Sequence, residues 1–122
     1  MKKITQIIDD QTFDIFIGKN AAENWKLIDD ADTFDLWFHL DDKPSCHVVL
    51  KQNISNALNN TANTHNINYP NQIIYFAAEQ CKLNSKYKHL QKLKITYTNI
   101  SNISKGKEIG SVFVKNPKYI FI

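Results

Sequence analysis

Short runs with an apolar residue at every second position recur along this chain, and they constrain its fold more than any other feature. Across residues 34–40, Leu36, Phe38 and Leu40 alternate with Asp35, Trp37 and His39, the pattern of a strand with one face toward a core. In residues 12–17, Phe13, Ile15 and Ile17 alternate with Thr12, Asp14 and Phe16. In residues 92–98, Leu93, Ile95 and Tyr97 are expected inward, with Lys92, Lys94 and Thr96 on a charged outer face. Residues 2–8 pair with 12–17 as an opening hairpin around Asp9, Asp10 and Gln11, and residues 46–50 form a short strand after a turn at 41–44. Residues 110–115 and 118–122 read as a closing hairpin about Asn116 and Pro117.

Helical spacing is found in two places. Gly18 ends a strand, Asn20 and Glu23 have the spacing of a capping box, and Ala21, Trp25 and Ile28 fall on one stripe of a helix ending near residues 29–30. Tyr69 and Pro70 precede a second helix with the stripe Ile73, Ile74, Ala77, Ala78 and Cys81, ending near Leu83 or Asn84. Residues 51–68 are read as a long loop with a weak helix around 54–58. The sum is an α+β fold over residues 1–122: one domain, a mostly antiparallel sheet with two main helices packed against it.

At 122 residues and 43% hydrophobic, the chain buries about two-thirds of its unfolded surface on folding, so no metal or disulfide is needed for stability. Cys46 and Cys81 are read as reduced thiols. No apolar run reaches the roughly 20 residues of a membrane-spanning helix, and Asp9 and Asp10 interrupt the N-terminal segment before an export signal can form. The expectation is a cytoplasmic protein that does not engage a membrane.

Charge is distributed unevenly. Residues 1–50 hold 5 Lys against 10 Asp or Glu, a net of −5, and residues 51–122 hold 10 Lys against 2 acids, a net of +8. Lys82, Lys86, Lys88, Lys92 and Lys94 crowd together with no acid among them, which favours a polyanion through counterion release. All 15 basic residues counted are Lys, so the planar fork by which Arg reads guanine is excluded. Lys19 at a strand-to-helix junction adds charge where backbone N–H groups favour an anion. Trp37 is expected on an exposed face, where it and Tyr87 would stack on unpaired bases.

Other chemistry is poorly supported. Three glycines leave no phosphate loop and no dinucleotide fingerprint. Asp35, His39, Cys46 and His47 cluster in one hairpin, but Cys46 and His47 are adjacent and so point to opposite faces of a strand. No catalytic residue, metal site or cofactor is assigned, and the histidines are read either as half-buried, hydrogen-bonded groups or as ligand contacts.

Gly18-Lys19-Asn20 before a helix, then Asp35-Leu36-Trp37-Phe38-His39, then Pro44-Ser45-Cys46-His47-Val48-Val49-Leu50 resembles the NFACT-R domain family, whose pattern runs G-[RK]-N, D-[IL]-W-[FL]-H and PGSHV. The resemblance extends through Ala77-Ala78, residues 95–98 and Gly110-Ser111-Val112. Ser45 stands where the pattern has Gly, and Cys46 where it has Ser. The resemblance implies a non-enzymatic nucleic-acid-binding module for RNA, such as tRNA or ribosomal RNA, with DNA a possible alternative and the ribosome a possible partner. Long members join this domain to an NFACT domain and a coiled coil and act in translation quality control; this chain is more similar to the short branch, reduced to the module. Carried over by position, the motif residues are Lys19, Asn20, Asp35, Trp37, His39 and His47, with Gly18 and Pro44 structural. The rival expectation is a protein-interaction module docking on a ribosome or translation partner through Asp29, Asp30 and Asp32.

Overall fold

The computed structural model describes residues 1–53 and 69–122; the weak helix expected around 54–58 lies outside them. The fold is α+β, with eight strands and two α-helices among the described residues. In chain order these are β1 (Lys2–Ile8), β2 (Gln11–Ile17), α1 (Ala21–Asp30), β3 (Leu36–Leu40), β4 (Val48–Asn53), α2 (Asn71–Leu83), β5 (Lys94–Asn99), β6 (Ile103–Lys105), β7 (Val112–Val114) and β8 (Lys118–Phe121). Six strands form an antiparallel sheet in the order β1-β2-β4-β3-β5-β8, and β6 and β7 form a separate pair.

The opening hairpin turns on two residues. Asp9 and Asp10 both have positive φ (51° and 64°), the twist that a tight two-residue hairpin requires and that Asp tolerates. Gln11 already belongs to β2, opposite Ile8. Asn20 caps α1 by accepting the Glu23 N–H at 2.9 Å, and Glu23 returns the contact by accepting the Lys19 N–H at 2.9 Å. α2 ends at Asn84, whose side chain donates to the Gln80 carbonyl at 2.8 Å.

The sheet has a core on each side. Phe13, Ile15, Ile17, Leu36, Phe38, Leu40, Val48 and Leu50 share one buried cluster with Ile73, Ala77, Ala78 and Cys81 of α2. On the opposite face Trp37 and Val49 are buried with Leu27 of α1 and with Ile100 and Ile103. β3 is therefore covered on both faces, although its sequence alternates like a strand with one wet side.

That second layer overturns several expectations. Thr96 and Thr98 are buried and Tyr97 is only half-buried; Thr96 donates to Asp41 Oδ1 at 2.9 Å, and Thr98 Oγ1 lies 3.3 Å from both the Lys115 and the Asn116 carbonyls. The charged outer face expected of β5 reduces to Lys94, because Lys92 precedes the strand in a turn with φ 56°. The buried side chains of α1 are Asn24 and Leu27, not the stripe through Ala21 and Trp25. The closing hairpin does not form: β7 pairs with β6 and β8 with β5, and Asn116, with φ 51°, redirects the chain between the two sheets. β4 extends to Asn53, into residues read as loop.

Candidate nucleic-acid interface

Three segments distant in sequence are joined by backbone contacts at one end of the sheet. The Gly18 N–H donates to the His47 carbonyl at 3.0 Å, and the His47 N–H donates to Asn24 Oδ1 at 3.1 Å. A Cβ on Gly18 would sit 2.2 Å from that same oxygen, so glycine is required here by close approach rather than by backbone angle. The β3–β4 turn is closed by Ser45, whose hydroxyl accepts the Leu40 N–H at 3.1 Å and donates to the Cys46 carbonyl at 3.0 Å. From the far side, Gly110 (φ 89°) lies against Ala21, where a Cβ would meet the alanine Cβ at 2.8 Å. Trp25 holds that loop by donating its indole N–H to the Ser111 carbonyl at 2.9 Å.

These contacts enclose a cleft of about 710 Å³. Gly18, Lys19, Asn20, His39, Pro44 and His47 all line it, and Lys86 and Tyr87 come in from the segment after α2. Lys2 joins them because the hairpin register sets it opposite Ile17. No Asp or Glu is among the lining residues. Among the described residues Lys2, Lys19 and Lys86 enter no ion pair, so the electrostatics of the cleft favour an anion.

The two histidines sit deep in this wall. His47 is 3% exposed, and its Nδ1 accepts the Trp37 indole N–H at 3.1 Å. Burial first, and the neighbouring His39 second, push its pKa down to about 3, so the ring is neutral at physiological pH. His39 is half-buried; its Nδ1 lies 2.6 Å from the Leu40 carbonyl, which can only accept, so that nitrogen carries the proton. Burial also lowers the His39 pKa, against the raising pull of that carbonyl and of Asp41. The ring stacks parallel on Trp37 and meets His47 edge-on, with centroids 5.7 and 5.1 Å apart.

Trp37 requires correction. Expected to be exposed for base stacking, it is 2% exposed, beneath α1 and Ile100 and Ile103, and its one polar group is committed to His47. The aromatic residue that reaches the cleft is Tyr87, with Lys43 Nζ 5.3 Å from its ring centroid. The lysines after α2 do not act alike. Lys86 lines the cleft, Lys88 and Lys92 are exposed outside it, and Lys82 donates to the Ile122 carbonyl at 3.3 Å. Lys94 pairs with Asp41 at 3.5 Å and lies over the Tyr119 ring.

Asp35 lies at the other end of β3. It is 2% exposed and accepts from the Asp32 N–H at 2.8 Å and from Lys51 at 2.9 Å. Burial raises its pKa, partly offset by Lys51. Of the other acids, Asp29, Asp30 and Asp32 pair with Lys105, Lys26 and Lys51. Cys46 and Cys81 are free thiols, and a hydrogen bond between them lowers the pKa of Cys46 while burial raises that of Cys81. Among the described residues no group of three or more His, Cys, Asp or Glu is placed to hold a metal ion, and no helix is long and apolar enough to cross a membrane.

Asn24 and Lys2 are the site residues that sequence reasoning missed. Asn24 reads as an outward polar residue until His47 is brought against it. Lys2 was legible in the hairpin register, which a two-residue Asp9-Asp10 turn fixes.

Six of the eight motif residues, Gly18, Lys19, Asn20, His39, Pro44 and His47, line one cleft, while Asp35 and Trp37 stand outside its lining. Residues 3–116 match the NFACT protein RNA binding domain, and the chain belongs to that family, an RNA-binding domain rather than a catalytic one. It is 26% identical over 103 residues to coiled-coil domain-containing protein 25 of Mus musculus, an alignment covering 84% of this chain and 46% of that protein. The C-terminal structure of the fibronectin/fibrinogen-binding protein of Streptococcus suis superposes with a TM-score of 0.77 at 25% identity, covering 100% of this chain and 45% of that one. The chain thus spans a little under half the length of each.

Proposed function

We propose that this chain is a non-enzymatic module that holds RNA by its phosphate backbone, with the cleft at the centre and Lys82, Lys88, Lys92 and Lys94 extending the cationic track. The observation that carries this reading is the cleft itself: Lys2, Lys19 and Lys86, from three distant stretches, meet the family's motif residues with no carboxylate in the lining. Lysine gives point charges and no bidentate base recognition, so binding follows charge and shape. A structured RNA such as tRNA or ribosomal RNA, met in the cytoplasm, is the substrate class this reading favours; DNA would bind through the same phosphates. The acidic docking surface receives less support, since Asp29, Asp30 and Asp32 are each paired with a lysine of the same chain.

The test is the salt dependence of RNA affinity. With five or six phosphate contacts, log affinity falls against log salt with a slope of about −4 to −5. A slope near zero rules the mechanism out. Reversing charge at Lys19 and Lys86 together is expected to weaken binding at least about tenfold, measured by fluorescence anisotropy.

A further inference from the structure

The wall of the cleft holds chemistry that RNA binding does not use. Cys46, between the β3–β4 turn and β4, is half-buried and lines the cleft. Cys81, in the last turn of α2, is 0% exposed and belongs to the core against which Cys46 packs. Both are free thiols, and they share a hydrogen bond. We propose that the two form a modification site, at which a hydroperoxide oxidises Cys46 to a sulfenic acid and Cys81 resolves it as an intramolecular disulfide. The site goes beyond the RNA-binding reading and stands or falls without it.

The argument begins with contact. Far apart in sequence, the two cysteines are brought together only by the packing of α2 on the sheet. Ser45 pins the neighbouring backbone by accepting the Leu40 N–H and donating to the Cys46 carbonyl, so one thiol sits on a tied segment and the other on a regular helix. Exposure then makes them unequal. An oxidant arriving through the cleft meets Cys46 and is kept from Cys81. Charge acts in the same direction, because Lys2, Lys19 and Lys86 are among the lining residues and no Asp or Glu is, and an electropositive surrounding favours the reactive thiolate. The hydrogen bond from Cys81 lowers the Cys46 pKa, while burial raises that of Cys81 and keeps it protonated. A partly exposed, more acidic thiol in contact with a sealed partner is the arrangement of a redox-sensing pair. Cys46 stands where the family pattern has Ser, so the motif does not supply the pair.

The chemistry balances with hydrogen peroxide as the oxidant. The Cys46 thiolate attacks one peroxide oxygen, the S–O bond forms as the O–O bond breaks, and the departing hydroxide takes up the proton that the thiol released. Cys81 then gives up its proton, and its sulfur attacks the Cys46 sulfur. The S–S bond forms, the S–O bond breaks, and the second hydroxide leaves as water with the Cys81 proton. The two sulfurs together lose two electrons and the peroxide gains them, so two thiols and one peroxide yield one disulfide and two waters.

The experiment treats the reduced, folded chain with hydrogen peroxide at neutral pH, quenches with catalase and reads intact and peptide masses. The chain is expected to lose two hydrogens, to yield a peptide crosslinked between Cys46 and Cys81, and to recover both thiols with dithiothreitol. Cys81→Ser should stop at a sulfenic acid on Cys46 that dimedone traps. Cys46→Ser should leave Cys81 oxidised at least about tenfold more slowly than Cys46 is in the unmodified chain. Should either variant fail to fold, iodoacetamide on the reduced native chain reads the same asymmetry, with Cys46 alkylated at least about tenfold faster than Cys81. Two thiols that survive peroxide intact, a disulfide formed only between chains, a crosslink that forms only in urea, or equal alkylation of the two cysteines in the folded chain overturns the proposal.

Discussion

The two ends of β3 each bury a polar motif residue, Asp35 at one and the His39–His47 pair at the other, and they tie it down in different ways. Asp35 is held through one oxygen, Oδ2, which takes both the Asp32 amide and the Lys51 ammonium. His47 accepts the Trp37 indole N–H on Nδ1 and lines the cleft together with His39. Asp35 and His47 are both almost wholly buried, so burial alone does not separate the frame of the fold from the wall of the cleft. What separates them is the kind of partner: a cation and a backbone amide fix Asp35 to the loop before β3, and a neutral indole fixes the tautomer of a ring in the cleft wall.

The largest expected effect is at the Asp35 end. Asp35→Ala leaves the Asp32 amide without its acceptor, takes from Lys51 one of its two carboxylates while Asp32 remains, and opens a cavity, so it should cost about 3 kcal/mol in urea denaturation. RNA affinity of the folded fraction should be unchanged, and a matching loss of affinity would join the two ends functionally. Next in size is a pH effect at the histidine end. His47 has a folded pKa of about 3 against its ordinary 6.5, so the unfolded chain takes up the extra proton between these values. The stabilising contribution is complete above the ordinary value and is lost as pH falls toward the folded one. Stability should drop by about 2 to 3 kcal/mol between roughly pH 6.5 and pH 4.5, and His39, shifted the same way, adds to it. Asp35, whose pKa is raised, has the opposite sign and favours the fold on protonation. His47→Asn should flatten the profile, and a flat profile in the unmodified chain would contradict a neutral, buried His47.

A third test sharpens the contrast at the junction that builds the cleft. Gly18→Ala must displace the Asn24 amide from the His47 N–H, at a cost of about 2 kcal/mol. Combined with Asn24→Ala, the losses should be less than additive, since both remove one contact. Smallest is Lys94→Met, where the Asp41 pair is partly exposed and stability should change by less than about 0.5 kcal/mol. The same substitution should reduce the salt slope of RNA binding by about one if Lys94 meets a phosphate.

Local patterns in the chain already carried the order of the elements as far as β5, the Asn20–Glu23 cap, the stop at Asn84, the turn around residues 9–11 and the apolar side of β3. Each follows from neighbouring residues and the backbone they prefer, so proximity in sequence suffices. What the tertiary structure decided is which surfaces are covered and which groups meet. Trp37 alternates with apolar neighbours as an outward residue does, but α1 and the segment around Ile100 and Ile103 close over it from distant parts of the chain. Asn24 is polar and still faces inward because His47 offers it a buried N–H. The last two strands part company because each finds an edge set by chain far from it, β7 against β6 and β8 against β5. Composition counts the lysines; only the packing of strand ends, a helix start and two loops determines which of them share a cleft, since charge is additive along a chain while the field at a site depends on distance.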